Sequence, residues 1–254
     1  MVARSSGRSR WTAGEVRRVS AALSAAGGSG DDPGLRAYTG SPVPVRGLRA
    51  AELRAVVADT ARRLKGRPAP DGPALVRALW STERFEEKVV AIELLGRLPL
   101  VRDASAWRVG NGWVDGATGW ALSDSLASGP MATLAADRPE RFVELLRWTR
   151  SSNLWRRRAS AYALRAWVRS GELDQPFRLL ELLVDDPERW VQRAVGTWLR
   201  ECWKKDPGRT ERFLRRHVRR LAPVTLTVAT ERASPRLRAE LRAMTRGRRG
   251  HRHR

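Results

Sequence analysis

A repeat of about 35 residues constrains the fold of this chain more than any other feature of its sequence. The segment LWRRRASAYALRAWV, which begins at Leu154, matches the segment RWVQRAVGTWLRECW, which begins at Arg189. Five identical residues recur at this spacing: Trp155 and Trp190, Arg158 and Arg193, Ala159 and Ala194, Leu164 and Leu199, and Arg165 and Arg200. Trp120 lies one period before Trp155, and Phe85 lies two periods before it. A helical unit repeated at this length is typical of an α-solenoid, in which neighbouring units bury a shared core.

The remaining sequence also predicts helices, separated by Gly, Pro and Asp turns, and almost no strands. Thr12 and Glu15 have the spacing of a capping box and predict a helix that runs toward Ala26. Further helices are predicted over 47–65, 72–80, 83–97, 117–127, 138–150, 153–170, 174–184, 187–205, 209–220 and 234–245. Glycines break any period within 98–116. We therefore predict an all-α protein, an α-solenoid of HEAT-like repeats with a concave, basic DNA-binding face.

The domain organisation follows from the same pattern. We predict a single domain over 11–245, between a disordered basic segment at 1–10 and a disordered basic tail at 246–254. The lone cysteine, Cys202, excludes an internal disulfide framework and fits a reducing cytoplasm. We expect no signal peptide, since no apolar segment follows the basic residues of MVARSSGRSR, and no apolar run has the length that crosses a bilayer. With three scattered histidines, it predicts neither a metal site nor a cofactor.

Positive charge is concentrated in the second half of the chain. The formal net charge is +22, and residues 141–254 carry 29 Lys and Arg against 12 Asp and Glu. GC-rich coding can account for the preference for arginine over lysine, but it does not account for uncompensated charge in one half. The charge therefore predicts a polyanionic partner, and nucleic acid ranks ahead of a membrane surface.

Two predicted helices place basic residues on one face each. The first stripe consists of Arg158, Tyr162, Arg165 and Arg169, and the matching stripe one repeat later consists of Arg193, Thr197, Arg200 and Lys204. Positions spaced by three, four, seven and eleven residues share one side of a helix. A merely solvated face is the alternative interpretation. The repeated phase and the lack of acidic partners on these stripes favour contacts with DNA phosphates.

Several segments resemble the AlkD-like DNA alkylation repair glycosylases. They are YTGSPVPVRGLRAAEL from Tyr38, LWSTERFEEKVVAIELL, GWALSDSLA, RFVELLRWTRSSNLWRRRASA and ERWVQRAVGTWLRECWKKDP. The resemblance spans roughly residues 36–215. It implies a HEAT-like α-solenoid that excises cationic N3- and N7-alkylated purines from duplex DNA without flipping the base into a pocket.

The resemblance also implies site residues. It places an aromatic residue on Trp120, the key carboxylate on Asp124 and a groove-facing arginine on Arg158. The residues predicted to bind DNA are Tyr38, Arg157, Arg165, Arg193, Thr197, Arg200 and Lys204. The implied partner is double-stranded DNA with alkylated bases, bound by a monomeric, nucleoid-associated enzyme in the cytoplasm.

Elementary chemistry is consistent with these assignments. Trp120 and Asp124 are four residues apart and lie one above the other on a helix. Cleavage of an N-glycosidic bond develops oxocarbenium character on the sugar, which a nearby carboxylate stabilises. An N3- or N7-alkylpurine already carries a positive charge and leaves as a neutral base, so no second acid is required. An indole ring attracts such a cation through its quadrupole.

Two positions depart from the family pattern. Ala121 stands where the family often has an acidic residue directly after the catalytic tryptophan. Thr197 stands where the family has a second groove aromatic. Trp198 is adjacent to Thr197, but a shift of one residue turns a side chain by about 100° around a helix, so we expect Trp198 to face the core.

Three functions remain open on the sequence alone. The leading prediction is a monofunctional DNA glycosylase, since Trp120 and Asp124 are retained and no lysine is placed for lyase chemistry. The alternative, which Thr197 favours, is a non-catalytic relative that binds distorted or branched DNA. A third possibility is a helical scaffold for an acidic protein, because α-solenoids commonly bind peptides.

Overall fold

The computed structural model describes residues 2–27, 30–97 and 104–246, and these residues are folded into helices joined by turns. In chain order the elements are α1 Val2–Gly27, α2 Pro33–Thr39, α3 Ala50–Leu64, α4 Asp71–Trp80, α5 Phe85–Leu95, α6 Ala104–Trp113, α7 Trp120–Leu126, the π-helical segment Ala127–Met131, α8 Ala132–Ala136, α9 Pro139–Trp148, α10 Leu154–Tyr162, α11 Arg165–Ser170, α12 Asp174–Glu181, α13 Arg189–Trp203, α14 Pro207–His217, α15 Pro223–Ala229 and α16 Pro235–Arg246. The described residues contain no strand. The all-α prediction is confirmed.

Proline and side-chain caps start many of these helices. Pro33, Pro207 and Pro223 each occupy the first turn of a helix, where a missing N–H breaks no hydrogen bond. The carboxylates of Asp32 and Asp206 accept the backbone N–H groups three residues ahead, at the starts of α2 and α14. The turns that separate the helices are therefore encoded locally.

The 35-residue period reappears in the positions of the helices. Phe85 begins α5 and Trp120 begins α7, while Trp155 and Trp190 are the second residues of α10 and α13. Ion pairs join residues that are one period apart: Arg209 with Asp174 at 2.5 Å and Arg220 with Asp185 at 2.5 Å. Equivalent positions of neighbouring repeats therefore lie against each other, as in helical repeat proteins generally.

Contacts between Cα atoms divide the chain into two compact units, Met1–Leu134 and Ala135–Arg254. The first unit buries an apolar core that includes Leu75, Val76, Leu79, Val90, Leu94, Leu122, Leu126 and Met131. The second unit buries a core that includes Leu145, Trp148, Leu164, Leu180, Val191, Val195, Leu199 and Leu214. In repeat proteins most contacts join neighbouring units, so a division into two compact units does not by itself separate two domains. The single domain over 11–245 therefore stays a prediction.

The predicted helix 153–170 is interrupted in the structure. Ala163 and Leu164 form a turn with ψ angles of −9° and −8°, and the Leu164 N–H bonds to the carbonyl of Ala161. Both side chains are fully buried, so tertiary packing sets this turn although the sequence has no Gly or Pro there. The break lies between Tyr162 and Arg165, so the stripe predicted on one continuous helix is divided between α10 and α11.

Other differences concern short or terminal elements. The helix α1 begins at Val2, so the start predicted from the capping-box spacing of Thr12 and Glu15 is wrong: Thr12 lies inside the helix, and its buried hydroxyl has no hydrogen-bond partner among the described residues. Residues 2–10, for which disorder was predicted, are helical. The helices α2 and α15 have seven residues each and were not predicted, since they are too short for a clear period. Most of the predicted tail 246–254 lies outside the described residues. Within the described part of the chain, no helix is both long enough and apolar enough to span a membrane.

Candidate nucleic-acid interface

Trp120 and Asp124 lie on the same helix in the first unit, as predicted. The helix α7 buries Leu122, Ser123 and Leu126, whereas Trp120 and Asp124 are half-buried. One face of α7 therefore packs into the core while the other leaves an indole and a carboxylate, one helical turn apart, accessible from outside.

Tyr38 completes an aromatic pair with Trp120. The two rings meet edge to face, with centroids 5.3 Å apart and planes at 84°, and the indole Nε1–H donates to the backbone carbonyl of Tyr38. Tyr38 itself is 68% exposed, which is unusual for a large aromatic side chain. The pair holds the Trp120 ring in one orientation and presents the Tyr38 ring to the outside.

Two glycines allow this pair to form. Gly40 ends α2 in the left-handed region with φ of +68°, and Gly119 precedes α7 with φ of +81°. A β-carbon on Gly119 would lie 2.3 Å from the Gly40 carbonyl oxygen, far inside contact distance. The end of α2 therefore packs against the start of α7 through bare backbone, and this approach brings Tyr38 to Trp120.

A buried ion cluster anchors the segment that follows α2. The Arg46 guanidinium donates to both carboxylate oxygens of Glu87, at 2.7 and 2.9 Å, and the backbone N–H groups of Arg46 and Gly47 donate to Glu86. Burial raises the pKa of Glu87, but hydrogen bonds from Arg46 and Ser20 and the Arg46 charge hold that pKa below its ordinary value. Glu87 is therefore ionised, and the cluster fixes the segment against α5.

A π-helical turn follows Asp124 directly. The segment Ala127–Met131 contains a kink at Gly129, where ψ is −112°, and it includes Pro130, which has no N–H to donate. The hydroxyl of Ser128 donates to the backbone carbonyl of Asp124 at 2.7 Å. Such turns interrupt the α-helical ladder and are frequent at functional sites.

In the second unit, Arg158 lies inside an aromatic cluster. Its side chain is only 4% exposed, and its guanidinium carbon lies 4.8 Å from the Tyr162 ring centroid and 5.8 Å from that of Trp190. It donates to the Tyr162 hydroxyl at 3.1 Å and to the Trp190 carbonyl. Trp155 packs on Trp190, with centroids 6.1 Å apart. Arg158 therefore joins α10 to α13. A phosphate bound by the Arg158 guanidinium would share that group with the Tyr162 hydroxyl and the Trp190 carbonyl.

Arg157, predicted to bind DNA, is also engaged within the protein. Its guanidinium pairs with Asp186 at 2.6 Å and donates to the carbonyl groups of Ser151 and Ser152. The side chains of Arg157 and Asp186 are 13% and 5% exposed. This arginine ties the segment before α10 to the segment before α13.

The remaining predicted cations differ in their partners. Arg165 and Arg193 are exposed, whereas Arg200 pairs with Glu231 at 2.7 Å and Lys204 pairs with Glu201 at 2.5 Å. The expected lack of acidic partners is therefore wrong for Arg200 and Lys204. Glu231 lies 31 residues beyond Arg200, so the sequence spacing on α13 did not reveal the pair.

Thr197 and Trp198 face the directions predicted for them. Thr197 is half-buried and its hydroxyl donates to the carbonyl of Arg193 one turn earlier, at 2.9 Å, on the accessible side of α13. Trp198 is 6% exposed and packs edge to face on Tyr162 with centroids 5.7 Å apart. A β-carbon on Gly196 would lie 2.9 Å from the Thr225 carbonyl, so α15 closes the opposite side.

Sequence reasoning missed some features of these surfaces. Trp190, which repeats Trp155 one period later, is 40% exposed, and the contact between Gly40 and Gly119 was not predicted. The glycine before Trp120 was the available signal for that contact. Among the described residues, no group of three or more His, Cys, Asp or Glu side chains is arranged to hold a metal ion.

Comparison with known families identifies one that covers most of the chain. The model of the family described as "DNA alkylation repair enzyme" matches residues 19–233. A search of curated protein sequences finds no match.

Two solved bacterial structures show a similar fold. A predicted DNA alkylation repair enzyme from Enterococcus faecalis is 18% identical with a TM-score of 0.68, over 80% of this chain and 94% of that protein. AlkD2 from Streptococcus mutans is also 18% identical, with a TM-score of 0.56, over 70% of this chain and 97% of that protein. At these identities the likeness establishes the fold, which is that of the AlkD-type helical repeat proteins.

Proposed function

We propose that this chain, which belongs to the DNA alkylation repair enzyme family, is a monofunctional DNA glycosylase. The proposal starts from that membership and from the accessible Trp120 and Asp124 on α7. Family membership supports a role in DNA repair. The proposed substrate is duplex DNA that carries cationic N3- or N7-alkylated purines. The observation that carries the proposal is the pairing of an oriented indole with a carboxylate one turn away on α7.

The proposed reaction is hydrolysis of the bond between C1′ of the sugar and the purine nitrogen. The electron pair of that bond moves to the purine, which loses its positive charge and leaves as a neutral base. The Asp124 carboxylate opposes the charge that develops on the sugar and orients a water molecule. The oxygen of that water bonds to C1′, its proton passes to the carboxylate or the solvent, and an abasic site remains. This route requires no cofactor.

The aromatic groups have a recognition role in this proposal. The Trp120 ring attracts the cationic nucleotide through its quadrupole, and its hydrogen bond to the Tyr38 carbonyl keeps the ring from rotating away. The exposed Tyr38 ring offers a further contact to the strand. These groups act on a base that stays in the duplex, so no pocket for a flipped base is required.

Contacts with the DNA backbone are assigned to the second unit. Arg165 and Arg193 are exposed and able to bind phosphates directly. Arg158 positions Tyr162 and Trp190 and contributes positive charge behind them. Arg157, Arg200 and Lys204 add charge that is partly neutralised by Asp186, Glu231 and Glu201. We place these groups on a basic, concave face of a monomer that works on cytoplasmic, nucleoid DNA.

A second candidate function rests on Thr197. The resemblance places a second groove aromatic at this position, and here a hydroxyl stands on the accessible side of α13 instead. A relative without that aromatic is able to bind distorted or branched DNA without releasing a base.

Base release from a defined duplex distinguishes the two functions. A duplex with a single 7-methylguanine is incubated with the native protein, and the free base is measured by mass spectrometry. Release above the spontaneous rate supports the glycosylase, with an undamaged duplex of the same sequence as the control. No release, together with tighter binding of a branched duplex than of a linear one, would replace the glycosylase by the binding protein.

A further inference from the structure

We propose that a cavity lined by α4 and α6 binds a nucleotide, with its base against Trp80 and Trp113 and its phosphate between Arg77 and Arg108. The cavity has a volume of about 590 Å³, and its lining includes these four residues and Gly112. It lies within the first unit and contains none of the residues assigned to base release.

Aromatic rings form one part of this cavity. Trp80 and Trp113 are stacked, with centroids 4.6 Å apart and planes 8° from parallel. The ammonium group of Lys88 lies 4.7 Å from the Trp80 ring centroid and donates to the Trp80 carbonyl, so the stack is held from a neighbouring helix. The two rings cover each other's facing surfaces, Lys88 lies over Trp80, and Trp113 is only 7% exposed, so the edges of the indoles line the cavity. These edges offer an edge-to-face contact to a planar base.

Unpaired positive charge forms the other part. Arg77 and Arg108 are exposed, and within the described residues neither guanidinium has a hydrogen bond or an ion pair. Several other arginines of the first unit are paired with carboxylates, namely Arg36, Arg46, Arg49, Arg62, Arg63, Arg67 and Arg97. Two unpaired guanidinium groups at one cavity favour an anion, and their planar donors match phosphate oxygens.

The combination identifies the ligand class. Free phosphate would contact the arginines but not the stacked indoles. An uncharged aromatic compound would contact the indoles but would leave the arginines without an anion. A nucleotide offers a planar base and a phosphate within a few ångströms of each other. The source is either a free nucleotide or an unpaired nucleotide of a DNA strand, and the same cavity chemistry recognises both.

Gly112 provides a direct test of the cavity. It lies in α6, and a β-carbon there would meet no atom within 4 Å, so a larger side chain enters open space. Leucine is also the better helix former, which protects the fold. We expect Gly112→Leu to weaken binding of deoxyadenosine monophosphate, measured by calorimetry, by about tenfold or more. We expect the same of the double variant Arg77→Ala/Arg108→Ala.

A matched variant controls for the loss of charge. Arg54→Ala/Arg84→Ala removes two exposed arginines of the same unit that do not line the cavity, and we expect its affinity for deoxyadenosine monophosphate to equal the native value. Inorganic phosphate and deoxyadenosine, each alone, should bind more weakly than the whole nucleotide. Equal affinity of the native protein and Gly112→Leu, or no binding by the native protein, would overturn the proposal.

Duplex probes distinguish the two sources. If the site takes a nucleotide from DNA, the native protein binds a duplex with one bulged adenine more tightly than a fully paired duplex, and Gly112→Leu loses this preference. If the site takes the free nucleotide, the variant loses only the binding of deoxyadenosine monophosphate. Binding requires no base release, so a negative glycosylase assay leaves this test intact.

Discussion

Gly119 lies so close to Gly40 that a β-carbon on Gly119 would stand 2.3 Å from the Gly40 carbonyl oxygen. Gly119 also has φ of +81°, which L side chains rarely adopt. We expect Gly119→Ala to lower the free energy of unfolding by about 3 kcal/mol. The new β-carbon would strain the backbone at a positive φ and would clash with a backbone carbonyl, which cannot rotate away as a side chain can. It should also reduce base release, because Tyr38 and Trp120 are separated.

Gly171 is the matched control for that prediction. Its φ is +85°, yet a β-carbon there meets nothing within 4 Å. Gly171→Ala therefore introduces the strain without the clash and should cost about 1 kcal/mol. Thermal unfolding of both variants separates the two effects. Equal losses of stability would show that the approach of α2 to α7 is not tight.

Asp124→Asn tests the proposed chemistry. The substitution is nearly isosteric but removes the negative charge that opposes the oxocarbenium ion, so base release should fall on the order of 10²–10³-fold. Binding of undamaged DNA and thermal stability should be unchanged. Asp137→Asn, which removes an exposed carboxylate elsewhere, is the control. Release within about threefold of the native rate would exclude Asp124 from the mechanism.

Arg193 and Arg200 should differ in their contribution to DNA binding. Each phosphate neutralised by a protein cation adds about 0.9 to the slope of log affinity against log salt concentration. Arg193 is exposed, so Arg193→Ala should make the slope shallower by about that amount. Arg200 is paired with Glu231, so Arg200→Ala should change the slope less. An unchanged slope in Arg193→Ala would place the duplex on another surface.

The accessible position of Thr197 predicts a change in lesion preference. We expect Thr197→Trp to favour methylated purines over bulky N7 adducts, because the indole restores an aromatic wall and fills space. Trp198→Ala is the comparison on the buried side and should lower the free energy of unfolding by about 3–5 kcal/mol. Excision of both lesions and melting temperatures are measured. A stable Trp198→Ala protein that excises neither lesion would contradict these orientations.

Burial raises the pKa of the Cys202 thiol to about 12. The unfolded chain releases this proton near the ordinary thiol pKa of about 8.5, while the folded protein keeps it. Stability from this group is therefore complete below about pH 8.5 and declines as pH rises toward 12, by about 1.4 kcal/mol per pH unit. The difference in unfolding free energy between native protein and Cys202→Ala, measured from pH 7 to 11, should show this decline. A constant difference would contradict the shift.

The sequence predicted those features that depend on local pattern. Helix periodicity with proline and aspartate turns located most of the helices. The residues that recur at the 35-residue period, Trp120, Trp155 and Trp190, all lie in the first turn of a helix. A shift of one position around a helix was enough to assign Trp198 to the core and Thr197 to the accessible side.

Features that depend on distant residues were beyond that reasoning. The partner of Arg157 is Asp186, 29 residues away, and that of Arg200 is Glu231, so neither was visible on a single helix. The turn at Ala163 is set by burial and not by a helix-breaking residue. The roles of Trp120, Asp124 and Arg158 stay predictions, since geometry alone does not measure catalysis.

The π-helical turn at Ala127–Met131 has a consequence for how this part of the chain tolerates change. A π turn contains one residue more than the α-helical turn it replaces. Gly129 has a non-helical ψ and Pro130 has no N–H, so the segment joins two helices at a kink. Removal of one residue, such as Gly129, would shift the side chains that follow by one helical position, or about 100°, relative to Asp124. An insertion or deletion in this segment should therefore be tolerated only if the Asp124 carboxylate keeps its orientation relative to the residues that follow. A substitution should be tolerated according to how well the new side chain packs.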